Sequence, residues 1–228
     1  MALKISEIFH SVQGEGLLMG VPSTFVRVSG CNLRCVWCDT PYASWNPEGS
    51  VMSVPEIVEK VQARDLRHVV LTGGEPMIFG EIEELCAELA RRGIHITIET
   101  AGTVHRSVPC DLMSISPKLA HSTPVDDMKW GPRHEELRLN VEALTALLGE
   151  YECQLKFVVA AAADVAEIQK LLSLLPSVLP ERICLMPEGR DSATLWERAR
   201  ALVPVVMEHG WRIAPRMQID LFGDTRGT

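Results

Sequence analysis

Short runs rich in β-branched and aromatic residues alternate with amphipathic stretches of helical period along most of this sequence. Strands are predicted at 4–12, 23–30, 67–74, 95–100, 111–116, 154–160, 182–186 and 211–215. Strands separated by helices of roughly ten to fifteen residues form βαβ units, whose strands are parallel. The sequence therefore predicts an α/β fold in one domain spanning 1–228, with a mostly parallel sheet in an open or partial barrel. Ligands of such sheets bind beyond the carboxyl ends of the strands.

The predicted helices carry recognisable end signals. Ser53 with Glu56 three residues later is a capping-box pattern, and Gly93 ends the amphipathic segment that starts at 81. Helical period returns at 133–148, 164–175 and 195–210. Pro204 should kink or split the last of these helices.

Composition excludes several functional classes. The 228 residues carry a formal charge of −8 and a pI near 5.4, so nucleic acid and acidic membrane surfaces are not expected partners. The sequence shows neither an export signal nor an apolar run of 18 residues, which predicts a cytoplasmic protein without a membrane span. Seven cysteines, an odd and unevenly spaced set, favour metal or redox chemistry over a disulfide framework.

The stretch CNLRCVWC places Cys31, Cys35 and Cys38 within eight residues. Structural zinc usually takes four protein ligands in paired C-x2-C units, and no second pair lies nearby. A ferredoxin-type electron carrier would supply four thiolates to its cluster. Three thiolates on a four-iron cluster leave one iron open, which is what a catalytic site needs. A distant fourth ligand among the other cysteines remains an alternative.

Three further strand ends carry polar or glycine-rich motifs. VVLTGGEP ends in Gly73, Gly74 and Glu75, where glycine permits close backbone approach to a ligand, although a plain tight turn explains it equally well. ISPK contains Ser116, Pro117 and Lys118, suited to a ribose hydroxyl or a carboxylate. The backbone of the LMPEG motif could contact an adenine ring through four residues: Met186, Pro187, Glu188 and Gly189.

The C-x3-C-x2-C spacing with an aromatic residue before the last cysteine resembles the radical S-adenosylmethionine enzymes. The resemblance implies a [4Fe–4S] cluster on Cys31, Cys35 and Cys38, with S-adenosyl-L-methionine chelating the open iron and yielding a 5′-deoxyadenosyl radical on reduction. It also implies that Gly73, Gly74 and Glu75 hold the methionyl amino group, with the SPK and MPEG motifs completing the cosubstrate site. Trp37, Cys38 and Asp39 should line that site as well.

Within this superfamily, FHSVQGEG, FVRVSGCNLRCVWCDT, TGGEP, ETAG, SPK and the closing RGT resemble the 7-carboxy-7-deazaguanine synthases of queuosine and deazapurine biosynthesis. That family is a homodimer with a modified partial (β/α) barrel. It converts 6-carboxy-5,6,7,8-tetrahydropterin to 7-carboxy-7-deazaguanine with loss of ammonia, and it binds Mg²⁺. The resemblance implies a pterin site formed by Val12, Gln13, Gly14, Glu15, Arg27 and Thr72.

The resemblance has two further implications and leaves rival functions. Thr40 would supply a hydroxyl to Mg²⁺, and the terminal carboxylate of Thr228 would reach the substrate, whereas a tail free of the site is the alternative. The radical chemistry requires a reducing protein such as a flavodoxin or ferredoxin. A glycyl-radical activating enzyme, which shares the cysteine spacing, is one rival function, and a non-catalytic iron–sulfur electron-transfer module is the other.

Overall fold

The computed structural model describes residues 2–228 and contains one nine-stranded sheet with helices packed against it. The strands are β1 Ala2–Val12, β2 Pro22–Val28, β3 Ser50–Ser53, β4 His68–Gly73, β5 His95–Thr100, β6 Leu112–Ile115, β7 Cys153–Val159, β8 Ile183–Pro187 and β9 Arg212–Ile213. Their order is β3-β1-β2-β4-β5-β6-β7-β8-β9. Only β1 is antiparallel, to both β2 and β3, and the remaining neighbours are parallel. The predicted α/β class with a mostly parallel, open sheet is confirmed.

Within the described part of the chain, seven α-helices accompany the sheet, and the last of them follows the final strand. They are α1 Val54–Gln62, α2 Ile82–Arg91, α3 Trp130–Leu137, α4 Val141–Glu150, α5 Asp164–Leu172, α6 Ser192–His209 and α7 Met217–Phe222. The capping box at α1 is confirmed: Ser53 Oγ accepts from the Glu56 N–H, and the Glu56 carboxylate accepts from the Ser53 N–H at 2.7 Å. Among residues 2–228, none of these helices has the length and apolar character needed to cross a bilayer.

The core lies mainly between the sheet and these helices, and it explains why the central strands read as apolar runs. All seven residues of β7 are buried, and Leu71, Ile98 and Phe157 on three different strands are fully shielded from solvent. Strands of a parallel sheet covered on both faces are buried along their whole length. Charged or polar residues inside such runs, Lys156 among them, therefore need a partner within the protein.

The structure differs from the sequence-based prediction at three places in the chain. Segment 133–148 forms two helices, because Asn140 adopts an extended conformation and its side chain caps α4 by accepting from the Ala143 N–H. The edge strand β3 was not predicted; it pairs with β1 directly before α1. Helix α6 is continuous from Ser192 to His209, so the split at Pro204 does not occur, whereas the kink stays a prediction. Pro204 and Arg200 are exposed, so the Arg200 carbonyl, which loses its N–H partner, can bond to water.

Candidate active site

A cavity of about 470 Å³ opens at the carboxyl ends of the central strands. Gly73 and Gly74 reach it from β4, Thr100 and Ala101 from β5, and Met186 from β8. Carboxyl ends of parallel strands meet at one edge of a sheet, so residues far apart in sequence converge there. The cavity lies where the strand pattern predicts a ligand site.

The loop after β2 brings Cys31, Cys35 and Cys38 to the wall of this cavity. The loop is held by bonds from outside it: the Arg34 N–H donates to His134 Nδ1 at 3.0 Å, and the Val36 N–H donates to the Ser122 carbonyl at 3.0 Å. Burial lowers the pKa of His134 to about 4, so its imidazole is neutral and can accept at Nδ1. These anchors fix the loop independently of any bound group.

The donor set of the loop fits an iron–sulfur cluster. Burial raises the pKa of both Cys31 and Cys35 to about 12, so these thiols need a cationic partner before they ionise. Metal binding supplies that charge, because thiolate is the ligating form. Among residues 2–228, no three His, Cys, Asp or Glu side chains lie close enough together to bind one metal ion. The three thiols are thus not arranged as a mononuclear site.

The glycine pair after β4 is required by the protein backbone itself. A Cβ atom on Gly74 would lie 1.9 Å from the Gly30 carbonyl oxygen, and Gly73 has a φ of +132°. The Glu75 N–H donates to that same Gly30 carbonyl at 2.9 Å. Only glycine permits this approach, which locks the turn to the start of the cysteine loop.

Glu75 is not among the residues that line the cavity, although Gly74, Thr100 and Ala101 around it are. It is fully buried and accepts from Thr100 Oγ1 at 2.7 Å, from the Ala101 N–H at 2.7 Å and from the Met77 N–H at 3.0 Å. Burial raises its pKa, although these hydrogen bonds oppose the shift. Through these three bonds the Glu75 side chain ties the glycine turn to the end of β5, while Gly73 and Gly74 of the turn line the cavity.

Glu15, which also lines the cavity, lies at the centre of a buried ion-pair cluster. Its carboxylate pairs with Lys156 and accepts from Arg216 Nε at 3.2 Å and Gln218 Nε2 at 2.8 Å. Burial would raise the pKa of Glu15, but the charges of Lys156 and Arg216 outweigh it and lower the pKa well below its ordinary value. Arg216 also pairs with Asp39 beside the cysteine loop. The carboxyl group is therefore ionised and rigidly held.

A second carboxylate, Glu99 of β5, lies next to this cluster and lines the cavity. Its Oε1 lies 3.5 Å from Lys156 Nζ and accepts from Gln13 Nε2 at 3.3 Å, and its Oε2 accepts from Thr72 Oγ1 at 2.9 Å. Lys156 thus joins two carboxylates. Burial would lower the pKa of Lys156, but the charges of Glu15 and Glu99 raise it, so its ammonium persists.

The carboxy-terminal tail forms part of the rim. All six residues of the segment 223–228, Thr228 among them, line the cavity. Arg226 pairs with Glu7 at 3.2 Å and Glu48 at 3.1 Å and lies 3.8 Å from the centre of the Tyr42 ring. Glu7 also pairs with Arg27 at 2.6 Å. The tail is therefore fastened to the same carboxylate that orients Arg27.

Most residues singled out from the sequence lie around this one cavity, and some do not. The lining includes Val12, Gln13, Gly14, Glu15, Arg27, Cys31, Cys35, Trp37, Cys38, Asp39, Thr40, Thr72, Gly73, Gly74, Ser116, Lys118, Met186 and Thr228. It does not include Glu75, Pro117, Pro187, Glu188 or Gly189. The Glu188 carboxylate is directed at Arg198 of α6, and the Gly189 carbonyl accepts from Arg216 Nη1 at 2.8 Å. Of the MPEG motif, only Met186 contributes to the wall.

Sequence reasoning assigned no role to Glu99, Lys156, Arg216 and Gln218, although all four line the cavity. Lys156 carried a usable signal, because a lysine inside an otherwise apolar central strand must find a buried partner. Glu99 ends a strand, which is the position expected for a ligand contact. Arg216 and Gln218 follow the last short strand and had no local signal.

Comparison with known proteins decides the family. Residues 25–144 match the family model described as the Radical SAM superfamily. Over the full length, the chain is 46% identical to a 7-carboxy-7-deazaguanine synthase of Halobacterium salinarum, covering 93% of that protein. It is also 30% identical to the Escherichia coli protein of the same name, covering 94% of this chain and 96% of that one.

The chain belongs to the 7-carboxy-7-deazaguanine synthase family.

Structural similarity agrees with this assignment. The crystal structure of QueE from Escherichia coli matches with a TM-score of 0.71 and 28% identity, covering 95% of each chain. Streptococcus suis SuiB bound to its precursor peptide, at 12% identity and a TM-score of 0.56, shares the fold alone, over 83% of this chain and 47% of that one. A radical S-adenosylmethionine enzyme of the synthase family acts on a small molecule, and membership implies a [4Fe–4S] cluster and S-adenosylmethionine.

Proposed function

We propose that the cavity is the site where this 7-carboxy-7-deazaguanine synthase contracts the ring of 6-carboxy-5,6,7,8-tetrahydropterin to 7-carboxy-7-deazaguanine with loss of ammonia. The observation that carries the proposal is the meeting of three cysteine thiols and an ion-paired Glu15–Lys156–Glu99 group on the walls of one cavity. The thiols suit a cluster and the polar group suits a heterocycle with several N–H donors. A cluster held by the thiols and a heterocycle held by the polar group would then lie next to each other in one cavity.

Cys31, Cys35 and Cys38 would hold the cluster, and the glycine turn would hold S-adenosylmethionine. When bound and reduced, the cluster supplies the electron that cleaves S-adenosylmethionine and starts the radical chemistry. The backbone of Gly73 and Gly74 faces the cavity and suits the methionyl amino group. Also at the cavity wall, Lys118 Nζ donates to Ser116 Oγ at 2.8 Å and lies 5.6 Å from the Trp37 ring centre. Together these side chains suit a ribose and a carboxylate.

The pterin would bind against Glu99, Thr72 and Gln13. A carboxylate can accept two parallel N–H bonds, which matches the amino-pyrimidine edge of a pterin. Lys156 offsets the negative charge of Glu99 and Glu15, so an uncharged ring can bind there without an unpaired carboxylate. The Nε–H of Arg27 donates to the Glu7 carboxylate, and Arg27 lines the cavity. Its terminal N–H groups are therefore suited to donate to the carboxylate of the substrate.

The same proposal includes a bound Mg²⁺, a homodimer, a protein electron donor and a cytoplasmic location. Thr40 lines the cavity close to Cys38, with 3.8 Å between its hydroxyl and the thiol, and would give Mg²⁺ one protein ligand, with substrate and water oxygens completing the octahedron. The protein would act as a homodimer, reduced by a flavodoxin or ferredoxin. All seven cysteines are free thiols, which is consistent with a cytoplasmic protein.

Anaerobic reconstitution tests this function. The reconstituted, dithionite-reduced protein is expected to form 7-carboxy-7-deazaguanine from the pterin in the presence of S-adenosylmethionine. Glu99→Gln should raise the KM for the pterin while S-adenosylmethionine still binds, because the variant loses an acceptor for substrate N–H groups. Cleavage of S-adenosylmethionine without turnover of the pterin, but with radical formation on a peptide, would contradict the proposal.

A further inference from the structure

The cysteine loop has an inner face that lines the cavity and an outer face that points away from it. Leu33 and Trp37, like the three cysteines, face the cavity, whereas Arg34 and Val36 do not line it. Val36 is 57% exposed and lies between Cys35 and Trp37 in sequence. A molecule that touches the outer face is thus one residue away from the cysteines and does not enter the substrate cavity.

The outer face carries a cluster of cations around one indole ring. Arg34 lies 4.0 Å from the centre of the Trp130 ring, Arg133 lies 5.2 Å from it and Lys129 lies 6.0 Å from it. Arg34 is half-buried, and its Nη1 donates to the Cys31 carbonyl at 2.8 Å and to the Leu33 carbonyl at 2.6 Å, whereas Lys129 and Arg133 are exposed. Lys129 and Arg133 thus place two exposed positive charges beside the cysteine loop, in a chain whose formal net charge is −8.

Exposed apolar side chains adjoin these cations. Val36, Val125 and Met128 are 57%, 77% and 89% exposed and share a shallow groove. Two aspartates lie in the groove as well; Asp127 uses its carboxylate to accept from the Lys129 and Trp130 N–H groups at 2.9 and 2.8 Å. Large exposed apolar residues beside a charged rim are typical of protein contact surfaces. We call this area the Trp130 surface; it consists of Arg34, Val36, Val125, Met128, Lys129 and Arg133 around Trp130.

We propose that the Trp130 surface is the docking site of an acidic one-electron carrier protein that reduces the cluster. The inference rests on the proposed function, since it requires a cluster on the three cysteines. One electron leaves the reduced flavin or iron–sulfur centre of the carrier, which is oxidised by one electron, and the cluster is reduced by one. The cations select an acidic partner, and the apolar groove gives the contact area. The carrier can dock while the cavity holds both small molecules.

The test uses charge reversal on the outer face and a matched control. Lys129→Glu/Arg133→Glu changes two exposed cations four residues apart on or beside α3, whereas Lys60→Glu/Arg64→Glu makes the same change at the end of α1. For the first variant, the Kd for oxidised flavodoxin, measured by calorimetry at low salt, should rise about tenfold or more, because charges at an interface act through long-range attraction. The control should keep the Kd within about twofold. A second variant, Val125→Ser/Met128→Ser, should weaken binding without changing charge.

Activity separates this proposal from the proposed function. With dithionite as the reductant, all variants should form 5′-deoxyadenosine at the rate of the unaltered protein. With reduced flavodoxin as the reductant, the rate of 5′-deoxyadenosine formation should fall only in the Trp130 surface variants. An equal loss in the Lys60/Arg64 control, or no loss in either Trp130 surface variant, would overturn the docking site. A change of oligomeric state in sedimentation would also overturn it, because the surface would then be a subunit contact. If the unaltered protein forms no 5′-deoxyadenosine with dithionite, the proposed function itself fails.

Discussion

Replacing Lys156 with methionine should reveal how strongly the buried ion pairs support the site. The Lys156 side chain is 5% exposed, and its ammonium links Glu15 with Glu99. After the change, Glu15 keeps Arg216 at 3.2 Å and Gln218 at 2.8 Å, but Glu99 keeps only the neutral donors Gln13 and Thr72. Breaking a buried pair by removing one partner costs roughly 3–5 kcal/mol. We expect about 3 kcal/mol, near the lower end of that range, because Glu15 retains a cation and the Glu99 side chain is 23% exposed.

Urea unfolding of the apoprotein measures this loss. With an m value of about 2–3 kcal/mol per molar urea, the midpoint of Lys156→Met should fall by roughly 1–1.5 M. Adding Glu99→Gln to that variant should recover part of the loss, since it removes the carboxylate left without a cation. Lys170→Met changes an exposed lysine of α5 and should shift the free energy of unfolding by less than about 0.5 kcal/mol. A Lys156→Met midpoint equal to that of Lys170→Met would refute the reasoning.

Three other predictions concern the substrate contact, the acid stability and the glycine turn. Arg27→Ala should raise the KM for the pterin at unchanged iron content, because it removes a charged contact to substrate and no iron ligand; an unchanged KM would remove Arg27 from the site. Burial, with the charge of His95 adding to it, lowers the pKa of His68 to about 4, so the folded state favours the neutral ring. The stability that His68 confers is complete above its ordinary pKa of about 6.5 and is lost as the pH falls toward 4, so His68→Gln should flatten the decline of the urea midpoint over that window. Gly74→Ala should cost on the order of 2–4 kcal/mol, since its Cβ would overlap a backbone carbonyl, whereas Gly149→Ala, with open space around it, should be neutral or stabilising in thermal unfolding.

The parts of the site that are local in sequence were predictable from it. The cysteine loop and the glycine pair are defined by spacing over a few residues, and the α1 capping box requires only Ser53 and Glu56. The partners of Glu15 were not predictable in this way. Lys156 and Arg216 are 141 and 201 residues away, and only the order of strands brings them to Glu15.

The contacts of a side chain with two possible roles could not be predicted from the sequence. Glu75 follows a glycine pair at a strand end, and the sequence cannot show whether its carboxylate binds a ligand or the protein. In the structure, three donors from the chain take up the carboxylate, and Thr100 and Ala101 supply two of them. The break near Asn140 was missed for a related reason, because the periodic apolar residues on both sides read as one amphipathic helix.

The most direct test of the account is the electron paramagnetic resonance spectrum of the anaerobically reconstituted, reduced protein. A [4Fe–4S] signal is expected that changes when S-adenosylmethionine is added, because the three cysteines of the loop leave one iron for the cosubstrate. Serine at Cys31, Cys35 or Cys38 should abolish the signal, whereas serine at Cys110 should leave it intact. A cluster signal that S-adenosylmethionine does not alter, or one that also disappears in Cys110→Ser, would contradict an iron left open by the polypeptide.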